Sequence, residues 1–201
     1  MNEQELFWKG GFGDEYVDRN NGPEFVAAKI DMFIKGLKAT SSINSIIELG
    51  ANRGLNADAL KSILPNCHYT GVEIGDKAFS FLEKNPNVDD CHHASIHDFM
   101  IDKKYDLAFI AGVMIHLNPD SLPDVYNLLA NLSNRYVLIS EYYNPSPVEL
   151  NYRGYSGKLF KRDFAKEFVE RTGFKLIDYG FVYRNDPKFY HDDMTWFLLE
   201  K

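Results

Sequence analysis

Cysteine is scarce: Cys67 and Cys91 are the only two among 201 residues, widely separated and outside any C-x-x-C pair. Two such residues cannot frame a disulfide-stapled fold, and they suit a reducing compartment. Long hydrophobic runs are missing as well. No stretch of about 18 apolar residues is present to span a bilayer, and the opening MNEQELFWKG is acidic, unlike a secretory leader. The expectation is a cytoplasmic protein with no membrane partner. Positive charge is in deficit, with 22 Lys and Arg against 29 Asp and Glu, which disfavours nucleic acid as a partner. Metal and hydrolase patterns also fail. His92, His93 and His97 have no cysteine partners and do not form an i, i+4 pair on a helix, so no metal is expected. Ser140 and Ser156 lack the glycine-flanked elbow of a nucleophilic serine.

What is present reads as one domain, residues 1–201, with 1–22 as an N-terminal lid or arm. A helix is expected from Pro23, with Val26, Ile30, Phe33, Ile34 and Leu37 on one face. Short apolar strands then alternate with helical stretches. Strands are expected over 45–49, 68–73, 90–94, 105–111 and 136–141, and helices over 56–64, 76–84 and 121–132. Such alternation implies right-handed βαβ units and a mostly parallel sheet covered on both faces. A loop is expected over 142–157 and a helix over 161–172, followed by strands 175–183 and 195–199. With only a loop between them, that last pair should run antiparallel. The fold class is α/β, a Rossmann-like three-layer sandwich whose seven-stranded sheet is mostly parallel and ends in an antiparallel strand pair.

In an open parallel sheet a ligand sits beyond the carboxyl ends of the strands, near the first one. The segment IIELGANRGLN, residues 46–56, lies there. Gly50 and Gly54 let the backbone turn sharply and approach a ligand, and the amides that open the next helix can hold an anion. Glu73 closes the next strand, where a carboxylate can accept both hydroxyls of a ribose. A nicotinamide-dependent oxidoreductase shares the glycine turn and the ribose acid, but the final antiparallel pair disfavours it.

On Glu48, Gly50, Asn52 and Gly54, and on the seven-strand pattern with its last pair antiparallel, the chain resembles class I S-adenosylmethionine-dependent methyltransferases. Asn52 stands where that family usually has a glycine. FWKGGFGDEYVDRN, residues 7–20, and GVMIHLNPD, residues 112–120, further resemble the methylases associated with pseudaminic acid biosynthesis. The resemblance implies S-adenosylmethionine as cofactor and S-adenosylhomocysteine as product. It also implies an acceptor related to bacterial surface glycans: a nucleotide-linked or phosphorylated sugar, or a phosphoramidate-type precursor of surface polysaccharide. Glu48, Gly50, Ala51, Asn52 and Gly54 would wrap the amino-acid end of the cofactor, Glu73 its ribose, and Ile74, Ser95 and Ile96 its adenine. Gly112 would lie where the sulfonium meets the acceptor.

His116 reads either as a general base for an acceptor hydroxyl or as a residue that orders the helix entry before Pro119. Trp8, Phe12, Tyr16 and Arg19 stand beside Gly10, Gly11 and Gly13. That segment reads as a lid over the cofactor, with Tyr16 toward the acceptor, because repeated glycines weaken a merely structural helix. Residues 151–175 carry seven basic against three acidic side chains in an otherwise acidic protein. Arg153 and Lys158 are therefore candidate clamps for a small anionic acceptor, with Tyr142, Tyr143 and Tyr155 offering rings and hydroxyls. The same motifs in a cofactor-binding accessory protein without turnover are the alternative. Oligomeric state leaves no mark in the sequence.

Overall fold

The computed structural model describes all 201 residues. Its main sheet has the spatial order β3-β2-β1-β4-β5-β9-β8. These strands are β1 (Ser45–Leu49), β2 (His68–Glu73), β3 (Asp90–His93), β4 (Tyr105–Ala111), β5 (Ser133–Glu141), β8 (Lys175–Val182) and β9 (Met194–Glu200). The first five are mutually parallel, whereas β9 runs antiparallel to both β5 and β8. The expected antiparallel end of the sheet is therefore present.

Successive residues of β1 feed opposite cores, as a strand buried on both faces requires. Ile46 packs with Phe33, Leu60, Phe109 and Leu138 on one side. Ile47 packs with Leu129, Val137, Ile139 and Phe168 on the other. The first core is covered by α3 (Pro23–Leu37) and α4 (Leu55–Ile63), the second by α6 (Leu122–Leu132) and α7 (Phe164–Thr172). A shorter helix, α5 (Asp76–Leu82), joins β2 to β3. Along α3 the buried face is Ala28, Met32, Phe33, Gly36 and Leu37. Ile34, expected inside, is 55% exposed, because the true stripe is rotated toward Met32.

Two expectations need correction. The stretch 142–157 is not one loop: Val148–Tyr152 (β6) and Tyr155–Lys161 (β7) form a separate antiparallel hairpin. Arg153 and Gly154 turn it with φ of 51° and 92°, the left-handed pair that matches strand twist. β6 is almost wholly exposed and β7 is buried only at Lys158 and Leu159, so no apolar alternation marks the hairpin. The helix expected from residue 161 starts instead at Phe164, where the Asp163 carboxylate accepts the Lys166 amide at 3.0 Å.

The N-terminal segment consists of α1 (Glu3–Lys9) and α2 (Gly11–Arg19). Asn2 and Glu5 form a reciprocal capping box that starts α1. Gly13 has a packing reason: a Cβ there would lie 1.9 Å from the Trp8 carbonyl oxygen. The pair docks on the hairpin. Lys158 Nζ lies 2.6 Å from Glu3, Gln4 Nε2 donates to the Gly157 carbonyl at 3.2 Å, and the Phe7 and Tyr155 rings meet edge-on at 5.1 Å.

Candidate functional site

The turn after β1 is built for close approach. The amides of Gly50 and Ala51 donate to the Val72 carbonyl at 2.8 and 2.9 Å. Gly50 has φ +80°, and an added Cβ would meet Val113 Cγ2 at 2.5 Å. Asn52, at φ 49°, also adopts the left-handed conformation. Asparagine is among the few non-glycine residues that do so readily. Its presence where the resemblance expects glycine thus leaves the turn geometry intact. Beneath the turn the Glu48 carboxylate is wholly buried, accepting from Asn56 Nδ2 at 2.5 Å and from the Tyr69 hydroxyl. Burial pushes its pKa up to about 7.

Glu73 ties the turn to β2. Its carboxylate accepts the amide of Asn52 at 2.8 Å and that of Gly75 at 2.6 Å. Each oxygen keeps a lone pair for a further donor. Burial raises its pKa as well.

Turn and carboxylate open into a cavity of about 530 Å³, within the roughly 300–1,000 Å³ typical of small-molecule sites. Of the residues expected at a cofactor, Gly50, Ala51, Asn52, Glu73, Ile74, Ser95, Ile96, Gly112 and Trp8 line it. His116, Tyr16, Tyr142 and Arg153 line it too. Glu48 and Gly54 lie behind the wall and support the turn. The α1–α2 pair forms one side, with the Trp8 ring 4.5 Å from His116 and 5.3 Å from Tyr16. Ser95 donates to Glu5, which fastens α1 to the segment after β3.

Five expected residues stand away from the cavity. Phe12 stacks on Phe7 at 4.3 Å, and Arg19 pairs with Glu15 at 3.2 Å. Tyr155 packs on Phe7 and Phe12, while Tyr143 bridges to Arg162. Lys158, read as a free clamp, is 5% exposed and holds Glu3. Its main chain matters more: the Lys158 carbonyl lies 2.6 Å from His116 Nδ1.

A carbonyl only accepts, so His116 Nδ1 carries the hydrogen and Nε2 keeps its lone pair. Burial lowers the pKa of this imidazole to about 4, which leaves it neutral at physiological pH. Its 3₁₀ turn, Met114–His116, is held by Glu141 at the end of β5. That carboxylate accepts the amides of Val113 and Met114 at 3.0 and 2.9 Å, and burial raises its pKa to about 7.

Several lining residues carry no sequence motif. Gln4 and Glu5 come from α1, and Phe25 and Lys29 from α3. Arg184, Tyr190, His191 and Asp192 come from the connection between β8 and β9, read in sequence only as a loop. Burial lowers the pKa of His191 to about 4 and that of Lys29 below its usual range. No group of three or more His, Cys, Asp or Glu side chains is arranged to hold a metal ion. No helix is long and apolar enough to cross a membrane.

No protein-family profile and no curated protein sequence matches the chain. Solved structures do match. The magnesium protoporphyrin IX methyltransferase of Synechocystis PCC 6803, with S-adenosylhomocysteine bound, aligns over 99% of this chain and 100% of its own, at 13% identity and TM-score 0.74. The Burkholderia thailandensis 1,6-didemethyltoxoflavin-N1-methyltransferase, also with S-adenosylhomocysteine, aligns over 98% and 86%, at 12% identity and TM-score 0.71. The plantazolicin methyltransferase BpumL in complex with S-adenosylhomocysteine aligns over 98% and 94%, at 15% identity and TM-score 0.65. The chain thus has the Rossmann-like fold of these methyltransferases.

Proposed function

We propose that this protein is a methyltransferase that takes a methyl group from S-adenosylmethionine and moves it to an oxygen or nitrogen of a small anionic acceptor. The observation that carries this reading is one cavity edged by both the Gly50–Gly54 turn and the Glu73 carboxylate, with His116 on its wall. The residues fit the cofactor. Glu73 retains acceptor capacity for two ribose hydroxyls, Ile74 and Ile96 offer apolar surface to an adenine, and Gly50 leaves no room for a side chain. Trp8 Nε1 and His97 Nε2 are buried without a protein partner and belong to lining residues, as expected where a polar ligand completes the wall.

Bound there, the cofactor supplies a sulfonium-activated methyl group. The protein contributes placement and exclusion of water. The ring of Trp8 closes over His116, which removes bulk water from the reacting end. His116, locked through Nδ1, presents a neutral Nε2 that can accept the acceptor's proton. In-line positioning of the acceptor carries much of the rate. By the resemblance of residues 7–20 and 112–120, the acceptor class is a nucleotide-linked or phosphorylated sugar, or a phosphoramidate-type precursor of surface polysaccharide.

The test is turnover. Protein with methyl-labelled S-adenosylmethionine is incubated with panels of sugar nucleotides, sugar phosphates and phosphoramidates, and S-adenosylhomocysteine release is measured. Acceptor-dependent release supports the reading. Release by none of these but by a parallel panel of neutral sugars overturns the anionic acceptor, and cofactor binding without release from any panel favours an accessory role.

A further inference from the structure

Lys29 is an ammonium in the cavity wall with no ion pair and no hydrogen bond to protein. It projects from the second turn of α3, whose one other cation behaves differently: Lys35 pairs with Asp31 at 2.6 Å. The charged groups that act on Lys29 are Glu48 beneath the turn and Asp192 from the β8–β9 connection, and its own charge acts on the His191 imidazole, which lines the same cavity. Glu48 does not neutralise it. That carboxylate already accepts from Asn56 and Tyr69, and burial favours its protonated form. Asp192 is exposed and also faces Tyr142, Tyr152 and Tyr16, so its charge is shared among them.

His191 adds a second unmet group. Its Nδ1 is buried with no partner, although the residue lines the same cavity. An unpaired cation in a half-buried wall and an orphaned imidazole nitrogen lining the same cavity are costly unless something completes them. Arg184 lines the cavity nearby in sequence, on the same connection, and its own partner, Asp193, is 3.9 Å away. His191 and Arg184 come from the β8–β9 connection, whereas the Gly50–Gly54 turn and Glu73, which hold the cofactor in the reading above, come from the ends of β1 and β2; Lys29 reaches the same cavity from α3.

We propose that Lys29 and His191 form the subsite that binds the acceptor's anionic group, a phosphate or a carboxylate, with Lys29 as its charged anchor. This rests on the methyltransferase reading and deepens it. It moves the anion contact from the hairpin, where Lys158 is committed to Glu3, to α3 and the β8–β9 connection. Lys29 Nζ donates to the anion as a point charge, and His191 Nδ1 donates in its neutral form. Lys29 is a binding residue here and takes no part in the transfer.

The experiment uses the full chain saturated with S-adenosylhomocysteine. Inorganic phosphate and, separately, acetate are titrated calorimetrically into wild type, Lys29→Met, Lys29→Gln, Lys29→Arg and His191→Leu. Wild type should bind at least one probe, and the one bound more tightly identifies the anion class. Lys29→Met and Lys29→Gln should weaken that probe by about tenfold or more, the scale of one hydrogen bond to a charged group. Lys29→Arg should recover part of the loss, and S-adenosylhomocysteine affinity should stay within about threefold in every variant. Failure of wild type to bind S-adenosylhomocysteine defeats the methyltransferase reading. Normal S-adenosylhomocysteine binding, with phosphate and acetate either unbound by wild type or bound equally by both neutral Lys29 variants, defeats the subsite alone.

Discussion

His116 Nδ1 lies 2.6 Å from the backbone carbonyl of Lys158, so a residue of the loop after β4 is anchored to the hairpin that the N-terminal helices cover. One hydrogen bond couples the ring's tautomer to the hairpin on which the N-terminal helices dock. The ring is thus tied to the hairpin rather than to the helix entry before Pro119, and its Nε2 is left for the proposed proton acceptance.

Replacing His116 by Gln should lower kcat about 100-fold, the low end of general-base contributions, while S-adenosylhomocysteine affinity changes by less than about threefold. Because burial holds the imidazole pKa down to about 4, wild type and variant should share the same profile shape between pH 5.5 and 8. A wild-type inflection near pH 6.5 that vanishes in His116→Gln would contradict this assignment.

Glu141 makes a stability prediction with a defined sign. Its carboxyl pKa rises from 4.5 to about 7 in the folded protein, so the native state holds that proton longer than the unfolded chain does. The resulting stabilisation is full below about pH 4.5 and is lost as pH rises through 7. Glu141→Gln cannot titrate. Its unfolding free energy relative to wild type should shift in favour of the variant by about 3 kcal/mol from pH 4.5 to pH 8, measured by urea denaturation. A constant difference would show that Glu141 has an ordinary pKa.

Gly50 and Gly11 should respond oppositely to alanine. At Gly50, φ +80° and the 2.5 Å approach to Val113 require the backbone or the neighbour to move. The expected cost is about 1–3 kcal/mol, with loss of cofactor binding. Gly11 opens α2 with nothing within 4 Å of an added Cβ. Gly11→Ala should be neutral or stabilise by up to about 1 kcal/mol. Thermal unfolding and S-adenosylhomocysteine titration of both variants check the contrast.

The sheet and the turn-and-carboxylate edge of the cavity are readable because local patterns write them. Ile46 and Ile47 sit in an apolar run that ends at Gly50, and Glu73 ends the next run. The missing helix between Val182 and Met194 marks the antiparallel pair. Elements set by distant contacts left no such trace. Lys158 looks free in sequence, and only the fold brings Glu3 to it from 155 positions away. Lys29 sits inside an amphipathic helix among surface lysines, and only the β8–β9 connection makes it part of a cavity. In the sequence the glycines at 10, 11 and 13 read as marks of a lid rather than of a packed arm. Gly13 instead permits the tight joint between α1 and α2.

Trp8 gives an optical report on that joint. The other tryptophan, Trp196, is 3% exposed in the sheet core, so ligand-dependent emission changes belong to Trp8. Wild type should show a change on adding S-adenosylhomocysteine, and Trp8→Phe should show none. In Trp8→Ala, affinity should fall by about tenfold or more as the ring's contacts with His116, Tyr16 and Phe12 disappear. An unchanged affinity would remove the lid role.

The most direct test of the central claim is calorimetric titration of S-adenosylhomocysteine and of NAD into wild type and Glu73→Ala. Wild type should bind S-adenosylhomocysteine with micromolar affinity, Glu73→Ala should lose about 100-fold or more as two charged hydrogen bonds to the ribose disappear, and neither should bind NAD. Tight binding of NAD, or no binding of S-adenosylhomocysteine at millimolar concentration, would contradict it.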